Sequence, residues 1–251
     1  MPFHPTTPTR GLVLGTLGGL ILLAFRQLYH WEQLGSFAAL TGHGPGAFFP
    51  FFFLCWNLLL AWIPYGLALR ARALHRERAP AWRYWAVAFG WLLFWPNAPY
   101  LVTDLIHLDA RPPVPLWFDA LLLFSFAWTG ILLAILSLRL MEDQWRERLG
   151  ARRARAATWL ALLAGCVGIF LGRVLRWNSW ELFTRPQQLL TDLLELLSSP
   201  SQLQGAIAMS GAFFLFLAAA YASVPGKEPT SNKRAHTIKK GKPRNAIAPG
   251  A

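Results

Sequence analysis

The stretch LWFDALLLFSFAWTGILLAILSL, residues 116–138, decides what kind of molecule this is. Its twenty-three residues hold a single ionisable side chain, Asp119. As a helix rising 1.5 Å per residue it reaches about 35 Å, enough to cross a hydrocarbon layer about 30 Å thick. The composition agrees. Only 14% of the 251 residues are charged and 55% are hydrophobic, with a mean hydropathy of +0.35, whereas soluble domains carry about 25% charged residues. Thirteen tryptophans fit the same reading, because indoles collect where hydrocarbon meets water.

Working outward, five further runs are expected to span: about 11–29, 47–69, 84–103, 156–175 and 203–222. The first ends early at Arg26, which is expected to snorkel outward. No small-x-small cleavage site follows it, so it reads as a retained span. The fold class expected is all-α, a polytopic bundle of six spans.

The net charge of +12 raises the question of nucleic acid, but the basic residues fall in short loops between apolar runs, which excludes it. Their distribution sets the orientation instead. Arg10, the segments 70–83 and 139–155, and the tail together carry nineteen lysines and arginines. The opposite loops carry five: Arg26, Arg111, Arg173, Arg176 and Arg185. Six alternating spans reproduce this split with both termini cytoplasmic. The loops 30–46, 104–115 and 176–202 then face outward. Residues 1–223 form the expected membrane domain. The tail 224–251 is basic, rich in Pro and Gly, and too polar to build a core.

Cys55 and Cys166 lie in separate apolar runs and read as packing residues. TRPQQLLTDLLELLSS, from residue 184, reads as a short amphipathic helix. Thr184 is its expected cap, Pro186 stands in its first turn, and Leu189, Leu190, Leu193, Leu194 and Leu197 recur at helical spacing. WNLLLAWIPY (56–65) and WLLFWPNAPY (91–100) look alike, as in an inverted repeat or by chance.

The third span ends in WPNAPYLVTDLIHL, residues 95–108. Pro96 and Pro99 lack N–H groups and push their predecessors away from helical angles, so the helix is expected to break between Trp95 and Tyr100. Asn97 can pair with the freed backbone. Polar side chains gather at this outward end: Asp104 and His107 three apart, Asp119, Arg173 and Arg176 three apart, then Asn178. Asn57 lies deeper and needs a partner, as an intramembrane asparagine bridging two helices. Three readings stay open. In the first, Asp104 or Asp119 pairs with Arg173 or Arg176 and ties helix ends together. In the second, the arginines and tryptophans grip a phosphate, such as a lipid headgroup, while His107 and an aspartate act as acid and base. There Asp104, His107 and Asp119 are the catalytic candidates. Arg173, Arg176, Asn178, Asn97, Tyr100 and Asn57 are the ligand-binding ones. In the third, Asp104, His107 and Asp119 hold a metal, but no motif such as HExxH accompanies them, and no metal is assigned. Gly165, Gly168 and Gly172 form a small-residue stripe that lets another segment approach closely.

WNLLLAWIPY, FWPNAPYLVTDLIHL, WFDALLLFSFAWTGILLAILSL and GIFLGRVLRWNSW together resemble a bacterial family of polytopic membrane proteins, the domain of unknown function 1361, over about residues 47–222. The resemblance implies a multi-pass protein of the bacterial inner membrane and no particular activity. The partners expected are the bilayer itself and an anionic lipid or lipid-linked substrate at the outward cluster.

Overall fold

The computed structural model describes residues 6–34, 51–112 and 114–225. Most of the loop 30–46 and nearly all of the basic tail fall outside them. The described residues are helical, with no strand and one isolated bridge, Arg111 to Val114. In chain order they are α1 (Thr6–Leu34), α2 (Phe53–Arg76), α3 (Ala81–Phe94), α4 (Asn97–Tyr100), a 3₁₀ segment (Leu101–His107), α5 (Leu116–Leu149), α6 (Ala151–Arg173), α7 (Glu181–Thr184), α8 (Pro186–Ser198) and α9 (Pro200–Ser223).

Among the described residues five helices are long and apolar enough to cross a membrane: residues Thr9–Tyr29 of α1, and all of α2, α5, α6 and α9. The expected third span is not one continuous helix. Its helix α3 has 14 residues and stops before Pro96. Pro96 and Pro99 then both serve the start of α4, Pro96 as its cap residue and Pro99 in its first turn. The first turn of a helix has no intrahelical use for N–H donors, so the prolines lose nothing there. Pro64, by contrast, sits inside α2 without ending it, so the two look-alike segments fold differently.

Named contacts fix how the helices run. Gly15 of α1 lies against Thr129 of α5, and Gly19 against Phe126, so α1 and α5 are antiparallel. Trp62 of α2 donates to Thr16 of α1 at 3.2 Å. Gly150, at φ +82°, turns α5 directly into α6 within one residue. That left-handed angle suits glycine because it has no Cβ. The expected loop 139–155 is therefore helix on both sides of a one-residue turn. Trp159 of α6 meets Tyr221 of α9 edge to face at 5.9 Å.

The core runs along α2, α3, α5 and α6, where Trp91, Trp95, Leu122, Phe126, Leu133 and Cys166 are buried. Trp91 meets Trp145 edge to face at 5.6 Å. Large apolar side chains outside the core stay exposed, such as Leu14, Trp117, Leu160 and Leu215, as a lipid-facing surface requires.

Two expectations about helix ends need correction. Thr184 does not cap α8; it closes the four-residue α7, and α8 starts at Pro186 without a side-chain cap. Arg26 does not snorkel. It is fully buried and paired with Asp119.

The end opposite the predicted cluster is also less bland than its arginine-rich sequence suggests. Glu142, almost buried, accepts from Arg139 at 2.9 Å and Arg146 at 2.6 Å, and from the Tyr221 hydroxyl. Arg139 also donates to the carbonyls of Tyr221 and Val224, tying the last turn of α9 to α5.

Candidate functional site

The break after α3 is possible because its neighbours leave room. A Cβ at Gly165 would stand 2.1 Å from the Trp95 ring, and one at Gly168 would stand 2.5 Å from Pro96 Cγ. On the other side, a Cβ at Gly130 of α5 would lie 2.3 Å from the Ala98 carbonyl oxygen. Glycines of α5 and α6 thus clamp the irregular segment between two helices. Trp95, fully buried, donates its Nε1–H to the Ala134 carbonyl at 3.1 Å. Asn97 donates to the Phe94 carbonyl at 3.0 Å and to Ser179 Oγ at 3.1 Å. Ser179 in turn donates to the Leu93 carbonyl at 2.9 Å. The freed end of α3 is satisfied by one asparagine and one serine from the segment after α6.

Beyond the break, Asp104 is buried. Asn57 Nδ2 donates to its Oδ2 at 2.8 Å, and Arg173 Nη1 stands 3.5 Å from its Oδ1. The second contact is an ion pair without hydrogen-bond geometry, so Oδ1 has no hydrogen-bond partner. Burial raises the Asp104 carboxyl to about 6, against the opposing pull of the Asn57 hydrogen bond and the Arg173 charge. Arg173 also reaches the Tyr100 hydroxyl at 3.4 Å and His107 Nε2 at 3.3 Å. The His107 ring packs against Phe53 at 4.9 Å, and its carbonyl accepts from Arg111 at 2.8 Å. A carboxylate neighbour would raise the His107 pKa. The neighbours are arginines instead, and burial followed by the charges of Arg173 and Arg111 lowers it.

Asp119 belongs to a second centre. It takes Arg26 in a two-pronged pair, 2.7 Å at Nε and 3.0 Å at Nη2. Phe51 joins the two centres: Arg26 lies 4.8 Å and Arg111 4.7 Å from its ring centroid. Asp104, His107 and Arg173 therefore come together, whereas Asp119 does not join them. Among the described residues no three His, Cys, Asp or Glu side chains converge to hold a metal.

Beside Arg173 opens a cleft of about 370 Å³. Asn57, Asn97, Tyr100 and Asn178 line it, as do Trp56 and Trp177. Four of the predicted ligand-binding residues thus share one cavity. Arg176 stands exposed between Gly172 and Trp177, two residues of the cleft wall. It holds a φ of +59°, uncommon for a residue with a side chain. Trp177, Trp56 and Ser179 also line the cleft, although the sequence singles out none of the three by position as a ligand-binding residue. Trp177 had a signal, since it sits between two predicted ligands, Arg176 and Asn178. Trp177 donates to Asp192 at 2.8 Å, which docks α8 over the cleft, where Leu189 completes the wall. Of the α8 leucines, Leu190, Leu194 and Leu197 are exposed and Leu196, outside the predicted stripe, is the buried one.

Five apolar helices of membrane length around a core of tryptophan and leucine define a multi-pass helical membrane protein. Its particular family follows from comparison with known sequences. The chain belongs to the family described as Protein of unknown function (DUF1361), whose model matches residues 56–218. That span holds the break, the cleft and both arginines, while Arg26 lies before it. Nothing matches the chain among curated proteins or among solved structures.

Proposed function

We propose that this is a six-span protein of the bacterial inner membrane, with both termini cytoplasmic. Its periplasm-facing cleft takes the polar end of an amphiphile bearing an anionic group, a lipid headgroup or a lipid-linked phosphate. In this reading residues 84–103 make the third crossing as a broken helix. The antiparallel run of the helices supports it, because it puts the segments around residues 78 and 150 at one end and Asp104, Asp119 and Arg173 at the other. The first end carries most of the lysine and arginine, which favours the cytoplasm. Residues 1–223 are the membrane domain, and residues 224–251 are a basic cytoplasmic tail.

The observation that carries the ligand reading is Arg176. Of the five arginines in the outward segments, Arg26, Arg111, Arg173 and Arg185 each meet an acidic or aromatic partner within the chain. Arg176 meets none among the described residues, is exposed, and directly precedes Trp177 and Asn178 of the cleft wall. An unpaired guanidinium beside a cavity is a natural seat for a phosphate. Asp104 and His107 both lean on Arg173 rather than on each other, which supports binding ahead of acid–base chemistry.

The alternative is a non-enzymatic component, a transporter subunit or assembly partner, in which the polar cluster is structural. The mutual satisfaction of Arg26 and Asp119 favours it for that half of the cluster. Purification in polymer-bounded native discs, followed by mass spectrometry of retained lipid, separates the two. The ligand reading expects phosphate-bearing lipid held by the parent protein and lost from Arg176→Gln. Equal retention by both proteins would sink it.

A further inference from the structure

We infer that the group seated inside the cleft is uncharged and hydroxyl-rich, a glycosyl unit, with any phosphate left outside at Arg176. The inference rests on the preceding reading that the cleft receives an amphiphile, and it names which part of the amphiphile goes where.

The hydrogen-bonding polarity of the wall carries the argument. Three asparagines line the cleft, and the protein takes at least one amide hydrogen of each. Asn57 donates to the Asp104 carboxylate, Asn97 to the Phe94 carbonyl, and Asn178 to Glu181 Oε2 at 3.0 Å. A carboxylate or a backbone carbonyl accepts only, so these contacts fix which end of each amide is nitrogen. What remains is three Oδ1 atoms, and among the described residues no donor reaches any of them. The wall keeps donors as well: among the described residues the Trp56 indole N–H meets no acceptor, and Tyr100, whose hydroxyl oxygen accepts from Arg173, keeps its own O–H. Ser179 gives its hydroxyl proton to Leu93, and Trp177 gives its indole N–H to Asp192. The wall therefore offers acceptors and donors together, all of them neutral, and suits an occupant that both donates and accepts.

A phosphate fails that test. Its oxygens only accept and carry negative charge, so the three carbonyl oxygens of the wall would be desolvated facing it with no donor of their own. No Lys or Arg lines the cleft to compensate. An ammonium headgroup supplies donors and would suit aromatic walls. However, it would enter with no carboxylate lining the cleft and with Arg173 and Arg176 beside it, which raises its electrostatic cost. A polyol supplies neutral O–H donors. The C–H faces of a sugar ring can lie on the faces of Trp56, Tyr100 and Trp177, apolar surfaces set among polar groups. A volume of about 370 Å³ is in the range of small-ligand sites.

The test uses the full chain in native discs, since glycoside detergents would themselves compete. Saturation-transfer NMR is recorded with methyl glucoside, with ethanolamine and with a short-chain phosphatidic acid, each added alone and in competition. Trp56 is half-exposed and makes no hydrogen bond among the described residues, so Trp56→Ala removes a wall without disturbing the fold. Trp82→Ala, at the opposite end, is the control. The expected result is transfer to the glucoside ring protons in the parent and in Trp82→Ala, reduced at least fivefold in Trp56→Ala and unaffected by phosphatidic acid. Displacement of the glucoside by ethanolamine or by phosphatidic acid overturns the inference. No glucoside transfer overturns it too, and the lipid retained through Arg176 then decides separately whether the cleft reading itself survives.

Discussion

Arg26 and Asp119, 93 residues apart, meet through two parallel hydrogen bonds, and both side chains are fully buried. The pair fastens α1, which lies wholly before the family match, onto α5. Removing one partner of a buried pair strands the other charge, at a cost of about 3–5 kcal/mol. Asp119→Ala is therefore expected to lower the unfolding midpoint strongly, and Arg26→Met with Asp119→Leu to recover most of the loss. Thermal unfolding of the purified variants measures both. A single variant as stable as the double one would contradict the pairing.

The glycine clamp around the break gives a second prediction with an internal control. Gly165→Ala and Gly168→Ala drive a methyl into Trp95 and Pro96, and overpacking of this kind costs about 1–3 kcal/mol. Gly66→Ala, on the open side of α2, meets nothing within 4 Å. There the better helix propensity of alanine should add up to about 1 kcal/mol. The sign of the change should thus reverse between the two sites when denaturation is compared.

Asp104 makes stability depend on pH. Burial puts its folded-state carboxyl at about 6, above the ordinary aspartate value of 3.8. The folded protein then binds the proton more tightly than the unfolded chain does. This contribution is fully present below about pH 4 and is lost as pH rises through about 6. Asp104→Asn cannot titrate, so unfolding midpoints between pH 4 and 8 should show a slope in the parent that flattens in the variant. Parallel pH profiles would refute the assignment.

Orientation can be checked without any ligand. Reporter fusions near residues 75, 150 and 251 are expected to read cytoplasmic, and those near 110 and 190 periplasmic. A cytoplasmic signal at 110 would invert the whole arrangement and place the cleft on the other side of the membrane.

The break could be read from the sequence because two prolines three residues apart remove two N–H donors from one stretch, whereas the single Pro64 is absorbed inside α2; Trp95, before Pro96, nevertheless keeps helical angles, contrary to expectation. Asp104 with Arg173 was one of several pairings that charge and spacing allowed, and geometry selected it. Asp119 was attributed to the same cluster because it shares an end of the bundle with Asp104. Its true partner depended on how α1 packs, and an arginine near a span's end looks the same in sequence whether it snorkels or is buried. Glu142 escaped notice for the opposite reason. Arg139-x-x-Glu142-x-x-x-Arg146 was visible at helical spacing, but only the approach of Tyr221 from α9 turns that surface pattern into a buried knot.

Asn57 belongs to two places at once: its amide nitrogen holds the Asp104 carboxylate, and the residue forms part of the cleft wall. A proton on Asp104 weakens the hold on that nitrogen and frees the amide to reorient. A ligand seated on Asn57 would oppose the reorientation. The two events are then thermodynamically reciprocal: the factor by which protonation changes ligand affinity equals the factor by which the ligand changes proton affinity. A membrane that maintains a pH difference would, through this one side chain, set how firmly the cleft holds what it has captured.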